Sequence, residues 1–92
     1  MKLVVNKCYG GFSLSNKALS MLGFKHRYDA YDLDRNDPRL VEVVETLGRA
    51  ADGSCARLAV VTLPETATDY HIDEYDGLES IVYVVDGKLN WI

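Results

Sequence analysis

Two of the three Asp-Gly pairs, Asp76-Gly77 and Asp86-Gly87, constrain this chain most strongly, and the third, Asp52-Gly53, marks a turn out of the second helical segment. Asp-Gly tolerates the positive backbone angles that a two-residue hairpin turn needs, so Asp76-Gly77 and Asp86-Gly87 each favour a reversal between antiparallel strands. The flanking segments are strand-like. Tyr70 to Tyr75 alternates, with Tyr70, Ile72 and Glu74 on one side and His71, Asp73 and Tyr75 on the other. Glu79 to Val85 returns with Ile81, Tyr83 and Val85 on one face, and Lys88 to Ile92 could add a short last strand outside the order given below. Period-two alternation between turn signals predicts an antiparallel meander here.

The rest of the chain mixes strands with helices. Lys2 to Lys7 contains the short apolar run Leu3-Val4-Val5, which predicts a central strand. Gly10-Gly11 breaks it. Ser15 is placed to cap a short helix, with Leu14 and Leu19 spaced as a hydrophobic staple and Gly23 at the helix end. Loose alternation from Phe24 to Leu33 predicts a short strand. Asp37-Pro38 then starts a second helix, since proline at the first helical position has no hydrogen bond to lose. Leu40, Val43, Val44 and Leu47 follow helical spacing, ending near Gly48 to Ala51. Leu58 to Leu63 is another apolar strand, stopped by Pro64. The expected fold is a single α+β domain over residues 1–92. It has a small, mostly antiparallel sheet with two helices on one face, in the order β-α-β-α-β-β-β.

Composition limits the classes of function. The 92 residues are 48% hydrophobic and 26% charged, as in a globular domain, and no apolar run is long enough to cross a membrane. The N-terminal residues turn polar too soon for a secretory signal, so a cytoplasmic location is expected. Two cysteines, Cys8 and Cys55, are too few for a disulfide scaffold and are expected to be reduced thiols. Residues 1–28 carry Lys2, Lys7, Lys17, Lys25 and Arg27 with no acid, whereas all 14 acids fall in the remainder. The polarity suits either internal pairing of a basic element with an acidic sheet edge or a basic face that attracts an anion. The overall acidity argues against a nucleic-acid groove.

The segment Cys8-Tyr9-Gly10-Gly11-Phe12-Ser13-Leu14-Ser15 joins a strand to a helix start. With Val4-Val5-Asn6-Lys7 before it, it resembles a family of small uncharacterised proteins of bacteriophages and prophages. The resemblance is carried also by Arg35-Asn36-Asp37-Pro38-Arg39-Leu40-Val41, by Leu47-Gly48 through Asp52-Gly53-Ser54-Cys55-Ala56, and by Ile72-Asp73-Glu74-Tyr75-Asp76-Gly77. Relatives are often longer, with an insertion before Asp37-Pro38, so this chain resembles a compact version. The resemblance implies a phage origin, an accessory role and hence the host cytoplasm. It implies no activity and supplies no catalytic residues.

Each candidate chemistry has a structural counterpart. Gly10 and Gly11 could offer amides to an anion, aided by Lys7, Ser13, Ser15 and Lys17; equally, they could allow a positive φ or close packing at a corner. The spacing is neither that of a P-loop nor that of a dinucleotide fold. Cys8 could act as a nucleophile if His26 or His71 approached it, but buried thiols at strand ends are common in cores. Cys8, Cys55, His26 and His71 show no close ligand pair, so neither a metal nor another cofactor is expected. Asp73, Glu74, Tyr75, Glu79 and Trp91 make the acidic, aromatic C-terminal half a candidate protein-binding surface.

The leading expectation is therefore a non-enzymatic phage accessory protein that binds a host protein such as a defence component. A homodimer through exposed strand edges is compatible with it. The alternatives are a protein that binds or sequesters a nucleotide-like anion at the Gly10-Gly11 turn, and a small enzyme using Cys8.

Overall fold

The run Leu3-Val4-Val5 lies in β1 (Lys2–Asn6), which is buried on both faces. The computed structural model describes residues 1–92. β1 pairs antiparallel with β2 (Leu58–Thr62), Leu3 opposite Val61 and Val5 opposite Ala59. Val4 and Leu58 point to a core shared with the helices, and Leu3, Val5 and Leu63 to a second core containing Ile81. An apolar run results because both faces of the strand are covered. β1 is thus central in the stack of layers, although it lies in a sheet of two strands.

The helical layer is made by α1 (Asn16–Met21) and α2 (Pro38–Leu47). Ser15 caps α1, its hydroxyl accepting from the Ala18 amide at 3.1 Å. Leu14 and Leu19 are buried in the same core. Gly23 has φ +80°, and the amides of Gly23 and Phe24 donate to the carbonyls of Ser20 and Leu19. These two bonds close the helix end in the pattern that glycine permits. α2 buries Leu40, Val41, Val43 and Val44 against β1 and β2. Asp37 is its N-cap and accepts from the Arg39 amide at 2.9 Å.

The C-terminal meander is β3 (Asp69–Tyr75), β4 (Leu78–Val85) and β5 (Lys88–Trp91). Asp76 and Gly77 have φ of +49° and +89°, and Asp86 and Gly87 have +52° and +74°. Both turns therefore have the positive angles at both central residues that match the strand twist. The inner face of this sheet, with Tyr70, Ile72, Ile81 and Tyr83, packs on Leu3 and Val5.

The α+β architecture, the antiparallel pairing and the helices on one face agree with the sequence, but strand pairing divides the expected single sheet into two. The strand expected between Phe24 and Leu33 does not form. Arg27–Asp32 is a 3₁₀ turn, in which the Asp29 carboxylate accepts from the His26 amide at 3.2 Å and the Asp29 amide donates to the His26 carbonyl. Ala30 is its sole buried residue. With no apolar face to bury, local side-chain bonding to the backbone prevailed over a strand.

Arg39 holds the Asp37 carboxyl below the ordinary aspartate range, first by its side-chain hydrogen bond and then by its amide. A depressed folded-state value stabilises above the ordinary aspartate range and is lost as pH falls through the folded value. Asn also caps helices well. Asp37→Asn should therefore match the wild type most closely at acid pH and fall behind it towards neutrality. Urea denaturation across the acid range checks this.

Candidate functional site

The polar centre of the molecule is formed by Asn6, Arg35 and Glu79. Asn6 is fully buried and Glu79 is 5% exposed. The Arg35 guanidinium donates to both oxygens of Glu79, at 2.6 and 2.7 Å, and to the Val4 carbonyl at 3.2 Å. Phe12 lies under it, with the guanidinium carbon 3.6 Å from the ring centroid. The Asn6 amide donates to Glu79 at 2.8 Å. The Asn6 side chain donates to the carbonyls of Cys8 and Gly77, both at 2.7 Å, and accepts from the Arg57 amide at 2.8 Å. No buried side-chain polar atom lacks a partner.

The glycine corner, Cys55 and the Gly77 turn meet beside this centre. A Cβ at Gly10 would overlap the carbonyl oxygen of Cys55, and one at Gly77 would overlap the Gly11 amide. These glycines serve close approach between chain segments. Cys8 directs its thiol at the Asn6 side chain and the Cys55 carbonyl, and no histidine is among its partners. His71 is bound to Asp73 at 3.2 Å. No group of three or more His, Cys, Asp or Glu side chains is placed to hold a metal ion.

The residues proposed for an anion are not brought together. Gly10 and Gly11 line a shallow depression of about 560 Å³ with Tyr9, Glu74, Asp76 and Gly77. Two carboxylates there oppose an anion. Ser13 and Ser15 line a different groove, with Lys25, His26 and Arg27. Their hydroxyls already donate, Ser13 to the Ser54 carbonyl at 3.3 Å and Ser15 to the Ala50 carbonyl at 2.6 Å, so neither has a proton left for an anion. Arg27 is engaged with Tyr28, donating to its hydroxyl at 3.3 Å and thereby lowering the phenol's pKa. Lys7 donates to the carbonyls of Glu79 and Ile92, and Lys17 is exposed on α1.

The proposed protein-binding residues separate by strand parity. Asp73, Tyr75 and Trp91 share the outer face of the meander with Asp69, His71, Val82, Val84 and Leu89. Tyr75 is 72%, Trp91 62% and Leu89 59% exposed. Val82 is covered by its cross-strand neighbours His71 and Trp91. Glu74 falls on the opposite face, where its carboxylate accepts from the Gly77 amide. Glu79, expected at the surface, is instead an internal anion, because its position puts it opposite Arg35 and the edge of β1. The outer face carries Asp69 and Asp73, with Asp76 and Asp86 in the adjoining turns and no lysine or arginine. Asn6 and Arg35 were missed because nothing local marks them. Leu89 was legible: a two-residue turn at Asp86-Gly87 fixes Val85 opposite Lys88, which sets Leu89 beside Val84.

No family model, curated protein or solved structure matches this chain.

Two substitutions test this geometry. Glu79→Ala strands the Arg35 charge and the Asn6 amide, and should cost about 3–5 kcal/mol in urea denaturation. Gly10→Ala forces Cys55 and the corner apart, and should lower the melting temperature far more than Gly87→Ala, whose Cβ would meet no neighbour and whose cost is that of its positive φ.

Proposed function

We propose that this chain is a non-enzymatic binding protein that engages a protein partner with the outer face of the β3–β4–β5 sheet. One observation carries the reading. That face presents Leu89 and Trp91 to solvent as neighbours, with Tyr75 beyond the Asp73–Ser80 row, beside Asp69 and Asp73 and with no lysine or arginine. Contiguous exposed apolar surface with a polar border is the usual character of a protein-docking surface. The acidic border selects a partner whose apolar contact is flanked by lysine or arginine, and it repels a phosphate backbone. Through the resemblance, the chain is read as a phage or prophage accessory protein whose target is a host protein such as a defence component. The anion-binding and thiol-enzyme readings draw no support from the site, since the serine hydroxyls are committed and Cys8 lacks a basic partner.

Charge reversal on β3 tests the proposal. The tagged wild type should retain a bacterial host protein that Asp69→Lys/Asp73→Lys releases, with affinity reduced at least about tenfold. Both acids are exposed, so the variant should keep its melting temperature. If the variant retains the same proteins as the wild type, this face is not the binding surface.

A further inference from the structure

We propose that β5 pairs antiparallel with β5 of a second copy of this chain, about a two-fold axis at Asn90. The two meanders would then form one six-stranded sheet. The inference stands on edge geometry and does not depend on the binding partner proposed above.

Hydrogen-bond parity defines the free edge. Ile81 and Ile92 exchange both backbone bonds, at 3.0 and 2.9 Å. In an antiparallel ladder such pairs recur at every second residue, so Asn90 and Lys88 also bond to β4. The amides and carbonyls of Leu89 and Trp91 therefore point away from it. No strand lies beyond β5, and among the helices and strands it touches β4 alone.

The other sheet edges are capped or charged along part of their length, although the outward Val60 backbone of β2 is as free of bonds as that of Leu89. On β1, Val4 bonds to Arg35 and the Asn6 amide to Glu79. On β2, the Leu58 amide donates to Asp52 and the Leu58 carbonyl accepts from Arg49. On β3, the Tyr70 amide is taken by Asp69, and Asp69, Asp73 and Glu74 line the strand with charge. Charged side chains and capped groups are how sheets discourage edge pairing. β5 has no such cap at Leu89 or Trp91, and both side chains are exposed and apolar.

The register is self-complementary. Pairing through the outward groups sets Leu89 opposite the partner's Trp91, and Trp91 opposite the partner's Leu89. Asn90 then faces the partner's Asn90, and Lys88 faces the partner's Ile92. No like charges meet. On the outer face Val82, Trp91, the partner's Leu89 and the partner's Val84 form one continuous apolar row, and the two-fold axis generates a second. The acidic β3 strands lie at the two far edges. A face-to-face dimer of the same sheet would instead bring those acids towards one another.

Analytical ultracentrifugation, with a disulfide trap, decides the matter. The wild type should show a monomer–dimer equilibrium that shifts with concentration in the micromolar to submillimolar range. Leu89→Pro removes an outward amide that β4 does not use, a position where proline is tolerated. It should abolish the dimer and leave the far-ultraviolet circular dichroism unchanged. Asn90→Cys, in a chain with Cys8→Ser and Cys55→Ser, places two thiols across the axis at a non-hydrogen-bonded pair, within disulfide reach. Glutathione disulfide should link them covalently. The two thiols give up two electrons and two protons, and the glutathione disulfide is reduced to two thiols. Leu89→Cys in the same background faces the partner's Trp91 and should link poorly. A wild type that stays monomeric throughout, or an Asn90→Cys chain that links no better than Leu89→Cys, overturns the proposal. If Leu89→Pro fails to fold, the comparison of the two cysteine variants still decides it.

Discussion

β1 has a neighbouring strand on one side and none on the other, and the Arg35–Glu79 pair occupies the vacant side. Arg35 supplies a backbone carbonyl to the Val4 amide and a guanidinium to the Val4 carbonyl, while Glu79 accepts from the Asn6 amide. The pair thus does for β1 what a third strand would do. It also joins the loop before α2 to β4. Desolvating a guanidinium and a carboxylate is costly, and the geometry offsets this with two short parallel bonds, the Phe12 ring and the Asn6 amide. Asn6 extends the network to the glycine corner and to the Gly77 turn.

That arrangement limits which surfaces are left uncovered. With both faces of β1–β2 covered and the outer edge of β1 closed, the first sheet is scaffold. The glycine corner is likewise packed, its close contacts with Cys55 and Gly77 leaving two carboxylates, not cations, at its mouth. The meander is anchored by its inner face through Ile81 and Glu79, and its outer face and its last strand remain uncovered. The proposed binding uses the side chains of that face; the proposed pairing uses the backbone amides and carbonyls of that edge and adds the Leu89 and Trp91 side chains.

Much of this was legible one element at a time. Ser15, Asp37-Pro38, Gly23 and the two Asp-Gly hairpin turns act through bonds to residues within a few positions, so their roles follow from sequence. The same locality explains the error at Phe24 to Leu33: the alternation was real, but it carried no apolar face, and the Asp29–His26 bonds formed a 3₁₀ turn instead. The anion set failed for another reason. Lys7, Gly10, Gly11, Ser13, Ser15 and Lys17 are close along the chain, yet the corner turns Gly10 and Gly11 towards one depression and Ser13 and Ser15 towards another.

The elements other than the expected Phe24–Leu33 strand, the hairpin register and the charge polarity follow from the order of residues, because these depend on propensity, spacing and count. Tertiary structure alone decided that Glu79 is an internal anion while Asp73, one strand parity away in the same acidic run, faces solvent. It also decided that Asn6, Arg35 and Glu79 meet. Their partners lie tens of residues apart, and pairing buried charges requires a geometry that only the packed layers provide.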